Sequence, residues 1–282
     1  MKTIIAATNF TDASNHAVAF AADVACILKA RLIIFHVIDV EPATDVLFPE
    51  DFFEVARKKA AELLAVLLLE MKKRTNGVIE IKTNYRIGTV VTQLGILCSH
   101  EAPLAVFIAS QFVSSFEQAL WGTHAVFIVK HSAYPVVVVP ANASMNGFKK
   151  VGVALDPDGN DSIQWSLLRD WLKLFNAEAD IVVVLPHAAL SAAEELQAID
   201  AREQLNGIMV RTHFVTNDDV EEGIKAHIAA NAPDLLIMFV KRHGIFHKSI
   251  TRPFILLPPV PIMLISSKVT YEQEFPEEEA AE

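Results

Sequence analysis

Glycine is scarce in this chain. There are ten in 282 residues, and the closest two, Gly147 and Gly152, stand five positions apart. That spacing excludes any G-x-G-x-x-G dinucleotide turn and any G-x-S-x-G nucleophile elbow. Gly147 and Gly152 have P-loop spacing, but Val153 occupies the lysine position. Cysteine is scarcer still: Cys26 and Cys98 lie inside apolar helical patterns, so neither a disulfide framework nor a C-x-x-C site can form. No H-E-x-x-H occurs, and His243 and His247 flank Gly244 with no further Cys or His to complete a metal shell. The most apolar helical run, Leu63 to Leu69, is bracketed by Glu62 and Glu70; a membrane crossing needs roughly 20 residues. These absences remove the common enzyme classes, and the protein is expected not to be an enzyme.

An excess of positive charge is also missing. Residues 1–145 carry 12 basic and 13 acidic side chains, residues 146–270 carry 12 and 15, and the last twelve residues hold six glutamates and no base. The body is close to neutral, which argues against the electrostatic footprint of a nucleic-acid binder. The start, Met1-Lys2-Thr3-Ile4-Ile5, leads straight into an apolar strand, so no secretory leader and a reducing cytoplasm are expected.

What is present is alternation. Hydrophobic residues make up 52% of the chain, and short apolar runs without polar alternation, such as Ile4 to Ala7 and Leu32 to Ile38, read as parallel strands covered on both faces. Helical spacing follows over about 14–29, over Phe52 to Arg74 (closed by Asn76-Gly77), near 89–101 and near 123–132. Strands are expected near Ile79–Arg86, at Val106-Phe107-Ile108 and over Pro135 to Pro140. Such alternation implies right-handed crossovers and a parallel sheet.

The order then repeats. Lys150 to Asp156 matches the first strand, placing Asp156 opposite Asn9 at an offset of 147. Ile181 to Leu185 matches the second. Asn231-Ala232-Pro233 before Leu235-Leu236-Ile237 matches Glu101-Ala102-Pro103 before Val106-Phe107-Ile108, and Pro261 to Leu264 matches Pro135 to Val138. Two tandem α/β domains are therefore expected, at 1–140 and 146–268, each a five-stranded parallel sheet flanked by helices, with an acidic tail over 269–282. The copies are expected to form separate sheets related by a pseudo-two-fold axis and packed through their last strands, an intramolecular pseudo-dimer. A further homodimer and a protein partner are left open.

Ala7 to Asp12, His36-Val37-Ile38-Asp39 and the run through Pro135-Val136-Val137 together resemble the universal stress protein family over nearly all of 1–140 and, more weakly, over 150–266. The resemblance implies an adenine nucleotide-binding α-hydrolase-like fold and a stress-response or regulatory role. ATP or another adenine nucleotide would be its ligand. The family's binders carry an acidic residue after strand one and a glycine loop, G-x-x-G, nine residues, G-[S/T], after strand four. Glycines let backbone N–H groups approach phosphates at a helix N-terminus.

Both copies depart from that pattern. In the first, the implied site residues are Asn9, Val37, Ala109, Phe112, Gly122 and Thr123. Asn9 carries no charge, and Phe112 replaces a glycine. In the second they are Asp156, Lys241, Gly244, Lys248 and Ser249, on a loop six residues short. Lys241-Arg242-His243 with Lys248 reads as a solvated basic loop or as a site for a smaller anion. Gly122-Thr123 reads equally as an ordinary helix start, Asn9 and Asp156 as turn residues, and Trp165 and Trp171 as core packing. Weakened or lost ATP binding is the expectation.

The tail yields a prediction. Its six glutamates repel one another and offer little apolar surface to bury. Deleting 271–282 should leave the thermal transition almost unmoved; a loss above about 2 kcal/mol would make the tail structural.

Overall fold

The computed structural model describes residues 1–40, 51–110, 119–156, 163–185, 201–240 and 251–266, and for 119–124 the backbone only. The first half runs β1 (Thr3–Thr8), α1 (Asp12–Leu28), β2 (Arg31–Asp39), α2 (Phe52–Arg74), β3 (Ile81–Gly88), α3 (Val90–Glu101), β4 (Ala105–Ala109), α4 (Ala119–His131) and β5 (Val136–Val139). The second runs β6 (Lys150–Leu155), α5 (Trp165–Phe175), β7 (Glu178–Leu185), β8 (Val210–Thr216), α6 (Val220–Asn231), β9 (Leu235–Val240), α7 (Thr251–Leu256) and β10 (Ile262–Ser266). Residues 201–204 are also helical. The acidic tail lies outside the described residues.

Each half contributes five parallel strands, as the sequence implies, in the orders β3-β2-β1-β4-β5 and β10-β9-β6-β7-β8. The expected separation of the two sheets does not hold. β5 and β10 pair antiparallel, with Val138 opposite Ile262, Val137 opposite Met263 and Val136 opposite Leu264, so the halves form one ten-stranded mixed sheet. The two strand orders mirror each other across this single antiparallel junction of the last strands. The physical reason is edge chemistry. Each half ends in an apolar strand with one unpaired row of N–H and C=O groups, and pairing the two rows satisfies both.

Helices cover both faces. On one, α1, α2 and α5 pack a core that is continuous across the halves; on the other, α3, α4, α6 and α7 pack the second core. Phe148, fully buried in the linker, joins the halves on the first face, with ring centroids 6.0 Å from Phe20 on α1 and 4.8 Å from Phe175 on α5. Phe175 in turn stacks on Trp171 at 5.6 Å, so Trp171 is core, and Trp165 packs partly against the same core. Cys98 is buried and Cys26 half-buried, both unpaired. Burial pushes the Cys98 thiol up to about 12 and raises that of Cys26, with Asp23 adding to the rise; neither is a nucleophile at neutral pH. No helix among the described residues is long and apolar enough to cross a membrane.

Met263 is fully buried at the centre of the junction. Met263→Ala should cost about 2–5 kcal/mol, and the urea melt should remain one transition because the sheet is shared. Two resolved transitions would show that the halves unfold independently.

Candidate functional site

In a parallel sheet the ligand-binding position is the crevice outside the carboxyl ends of the strands, where the strand order reverses. In the first half that point lies between β1 and β4, and a cleft opens there. Its described walls are Ala7, Thr8 and Asn9 at the end of β1, Phe35 and Val37 on β2, and Ile108 and Ala109 ending β4. Val90 and Leu94 of α3, Ala125 and Ile128 of α4, and Ser14 of α1 complete them. Three of the residues expected from sequence, Asn9, Val37 and Ala109, meet on this one cleft. Sequence reasoning missed Thr8, Ser14, Phe35 and the α3 pair. Val90 and Leu94, four apart on one helix face, and the polar turn after β1 are the signals that could have found them.

The rim after β1 is held by side-chain hydrogen bonds. The Asn9 carbonyl oxygen accepts from the Thr11 hydroxyl at 2.7 Å and from its N–H at 3.3 Å, the turn role that its residue type allows. Thr11 caps α1 by accepting from the Ser14 N–H, and Thr8 accepts from the Phe10 N–H at 2.9 Å and donates to Asn15 at 3.0 Å. This network holds Phe10 at φ +66°, a left-handed conformation unfavourable for an aromatic residue. The Phe10 ring lies 4.4 Å from the His36 ring. His36 Nδ1 faces the Thr8 carbonyl oxygen at 2.8 Å; a carbonyl only accepts, so the proton sits on Nδ1.

Gly122 and Thr123 need a correction. The sequence reading starts the last helix at 123, with Gly122 in the preceding turn. α4 begins at Ala119, so both residues fall inside its first two turns. Ala119-Leu120-Trp121 extend the helix backwards, and the roughly 1 kcal/mol cost of an internal glycine does not stop it. These two residues therefore do not form a loop pair ahead of the helix. Phe112 lies outside the described residues.

The second half does not repeat the cleft's geometry. Strand register and the matching left-handed caps at Ala102 and Ala232 set Val184 opposite Val37, Phe239 opposite Ala109 and Gly223 opposite Gln93. Gly223 brings α6 so close to β7 that an added Cβ would lie 2.6 Å from a Val184 methyl carbon. Val184 is accordingly buried, whereas its counterpart Val37 is half-exposed on the cleft wall. Phe239, at the counterpart of the Ala109 position, is partly buried against the core of the α1, α2 and α5 face. Asp156, the acid expected from sequence, sits exposed just past β6; Lys241, Gly244, Lys248 and Ser249 lie outside the described residues.

A model of the universal stress protein family matches residues 1–140. The chain belongs to that family through its N-terminal half. Among solved structures, the chain is similar to a universal stress protein from Archaeoglobus fulgidus, with a TM-score of 0.72 and 17% identity, over 94% of this chain and 96% of that one. A functionally unknown protein from Pseudomonas aeruginosa PAO1 matches with a TM-score of 0.53 and 12% identity, over 94% and 92%. At those identities the likeness is one of fold, and it extends the universal stress protein architecture over both halves. No curated protein matches the chain. Among the described residues no group of three His, Cys, Asp or Glu side chains could hold a metal ion.

His36 supplies the site's pH signature. Burial pushes its pKa below the ordinary value, against the opposing pull of the Thr8 bond. A depressed folded pKa contributes stability that is present above the unfolded value of about 6.5 and is lost as pH falls through the folded one. The imidazole resonances of His36 should therefore titrate below pH ~6.5, and His36→Gln should flatten the acid side of the stability curve. Titration at or above the ordinary value would contradict the burial argument.

Proposed function

We propose that this protein is a non-enzymatic regulatory member of the universal stress protein family that binds one small ligand in its N-terminal cleft, with ATP affinity well below that of an intact family site. The observation that carries this reading is the composition of the cleft wall. Its described side chains are apolar except for Thr8, Asn9 and Ser14, and none is charged. Such a wall rewards burial of a flat, weakly polar group and offers little to a triphosphate.

Asn9 adds to the argument. Where the family's binders carry an acid, this chain has a neutral amide whose carbonyl oxygen is engaged by Thr11. A charge-assisted hydrogen bond is worth about 1.5–3 kcal/mol, so its loss weakens binding roughly tenfold or more. Among the described side chains of that wall, no nucleophile is paired with a base, so the wall lends catalysis no support.

Calorimetry with ATP, AMP and adenosine tests the proposal. The expectation is that adenosine binds at least as well as ATP and that ATP binding is weaker than micromolar. Ala109→Phe, which places in the first half the ring that Phe239 places in the second, should abolish adenosine binding and leave the fold intact. Micromolar ATP with a large preference over adenosine would show that the phosphates are recognised after all. Steady ATP hydrolysis by the purified chain would overturn the non-enzymatic reading.

A further inference from the structure

The second half has a buried polar cluster that the first half lacks. Asp180 on β7 and His227 on α6 are 1% and 3% exposed. His213 on β8 donates its Nε2–H to Asp180 Oδ1 at 2.7 Å, and Lys150 Nζ, from the first residue of β6, lies 3.4 Å from Asp180 Oδ2. His227 Nε2 lies 3.5 Å from the same Oδ2, beyond good hydrogen-bond reach. Oδ2 and His227 Nε2 make no hydrogen bond among the described residues. The two imidazole rings meet edge to face with centroids 4.9 Å apart.

The tautomer of His227 follows from its neighbour. Asn231 Nδ2 lies 3.1 Å from the His227 carbonyl oxygen and 3.1 Å from His227 Nδ1. The carbonyl only accepts, so the amide nitrogen faces both atoms and donates to Nδ1. Neutral His227 therefore carries its proton on Nε2, aimed at Asp180. A second proton would have to go on Nδ1, where it meets a donor. The Asn231 amide would then have to turn and give up its bond to the His227 carbonyl. The added charge would also sit beside Lys150 and His213.

The first half shows that the fold does not require this arrangement. Register places Thr3, Ile33, Asn84 and Leu97 at the positions of Lys150, Asp180, His213 and His227. There α3 is fastened instead by Arg31, which bonds both the Thr3 hydroxyl and Glu101 at the end of α3. That fastening contains no imidazole to titrate between pH 5 and 8.

We infer that Lys150, Asp180, His213 and His227 form an acid-sensitive latch, which holds the C-terminal end of α6 on the sheet and keeps Gly223 seated on Val184, closing the counterpart of the N-terminal cleft. The groups that face His227 are Asp180 and Glu178 on β7, His213 and Arg211 on β8, and Lys150 on β6. Glu178 and Arg211 pair with each other at the solvent edge. On α6 itself, Lys225 is taken up by Glu221 and Glu222 on the exposed side. Burial, with Lys150 and His213 adding to it, pushes the His227 pKa below its ordinary value despite Asp180. The sign follows: with the folded value depressed, the latch is fully stabilising above about pH 6.5 and weakens as pH falls through the folded value, by up to about tenfold per pH unit in the opening equilibrium for one proton taken up.

Amide hydrogen exchange on the full chain at pH 7.5 and 5.5, corrected for intrinsic rates, tests this. The amides of α6 should lose up to about tenfold in protection at the lower pH, while those of α3 change little. His227→Leu, which places on α6 the residue type found at position 97, should make α6 protection independent of pH. Should that variant not fold, an NMR titration of wild-type His227 decides: a midpoint below the ordinary value supports the latch. A midpoint at or above it, equal loosening of α3 and α6, or a pH response retained in His227→Leu would each overturn it.

Discussion

The antiparallel pairing of β5 with β10 is the contact on which the molecule depends. A five-stranded half on its own would leave one apolar edge strand with open hydrogen-bonding groups, a template for uncontrolled association. Here each half closes the other's edge, Val136–Val138 against Ile262–Leu264, and the two cores on each side of the sheet merge across the seam. Phe148 adds a side-chain tie over one face, touching a helix from each half. Because both partners lie on one chain, the contact forms without the translational cost that a dimer of single domains would meet.

A shared sheet also lets the halves differ. The first keeps a cleft at its topological switch point, bounded by Ala109 and a half-exposed Val37. In the second, Gly223 lets α6 descend on Val184, and Phe239 stands at the position of Ala109. At the opposite end of the same strands the difference is reversed: the first half buries Ile33 and Leu97 where the second buries Asp180 and His227. Buried polar groups cost stability unless paired. The second half offsets part of that cost through His213, Lys150 and Asn231, and gains a helix whose attachment depends on protonation.

Much of this was legible in the sequence, and the limits have physical causes. α2 was readable to the residue because Phe52 begins an apolar periodicity that Asn76-Gly77 closes, both at positive φ. The repeat and every strand except β8 follow from local landmarks, and the meeting of Asn9, Val37 and Ala109 follows from the family resemblance. The joined sheet did not, because hydrophobic runs report burial and carry no information on which edge pairs with which. The sequence puts the start of α4 four residues late because Gly122 reads as a turn residue, whereas its neighbours favour helix. The latch was invisible because its members lie on three strands and a helix. Its one local trace is Asp180, a buried acid two residues into a strand that continues as Ile181 to Leu185.

The two sites stand on opposite ends of the strands, and α6 spans the distance in the second half. Its N-terminal part carries Gly223, which shuts one end, and its last turn carries His227 and Asn231, which engage the other. A helix is stiff over so short a length, so a change at its last turn moves the whole element or none of it. α3 in the first half has the same two ends, with Gln93 at the position of Gly223 and an Arg31–Glu101 tie at its close. Gln93 does not permit the same close approach, and the cleft beside it stays open. Gly223 and Gln93 thus stand at matching positions of α6 and α3, the one allowing a close approach to the buried Val184 and the other beside a half-exposed Val37 on the cleft wall.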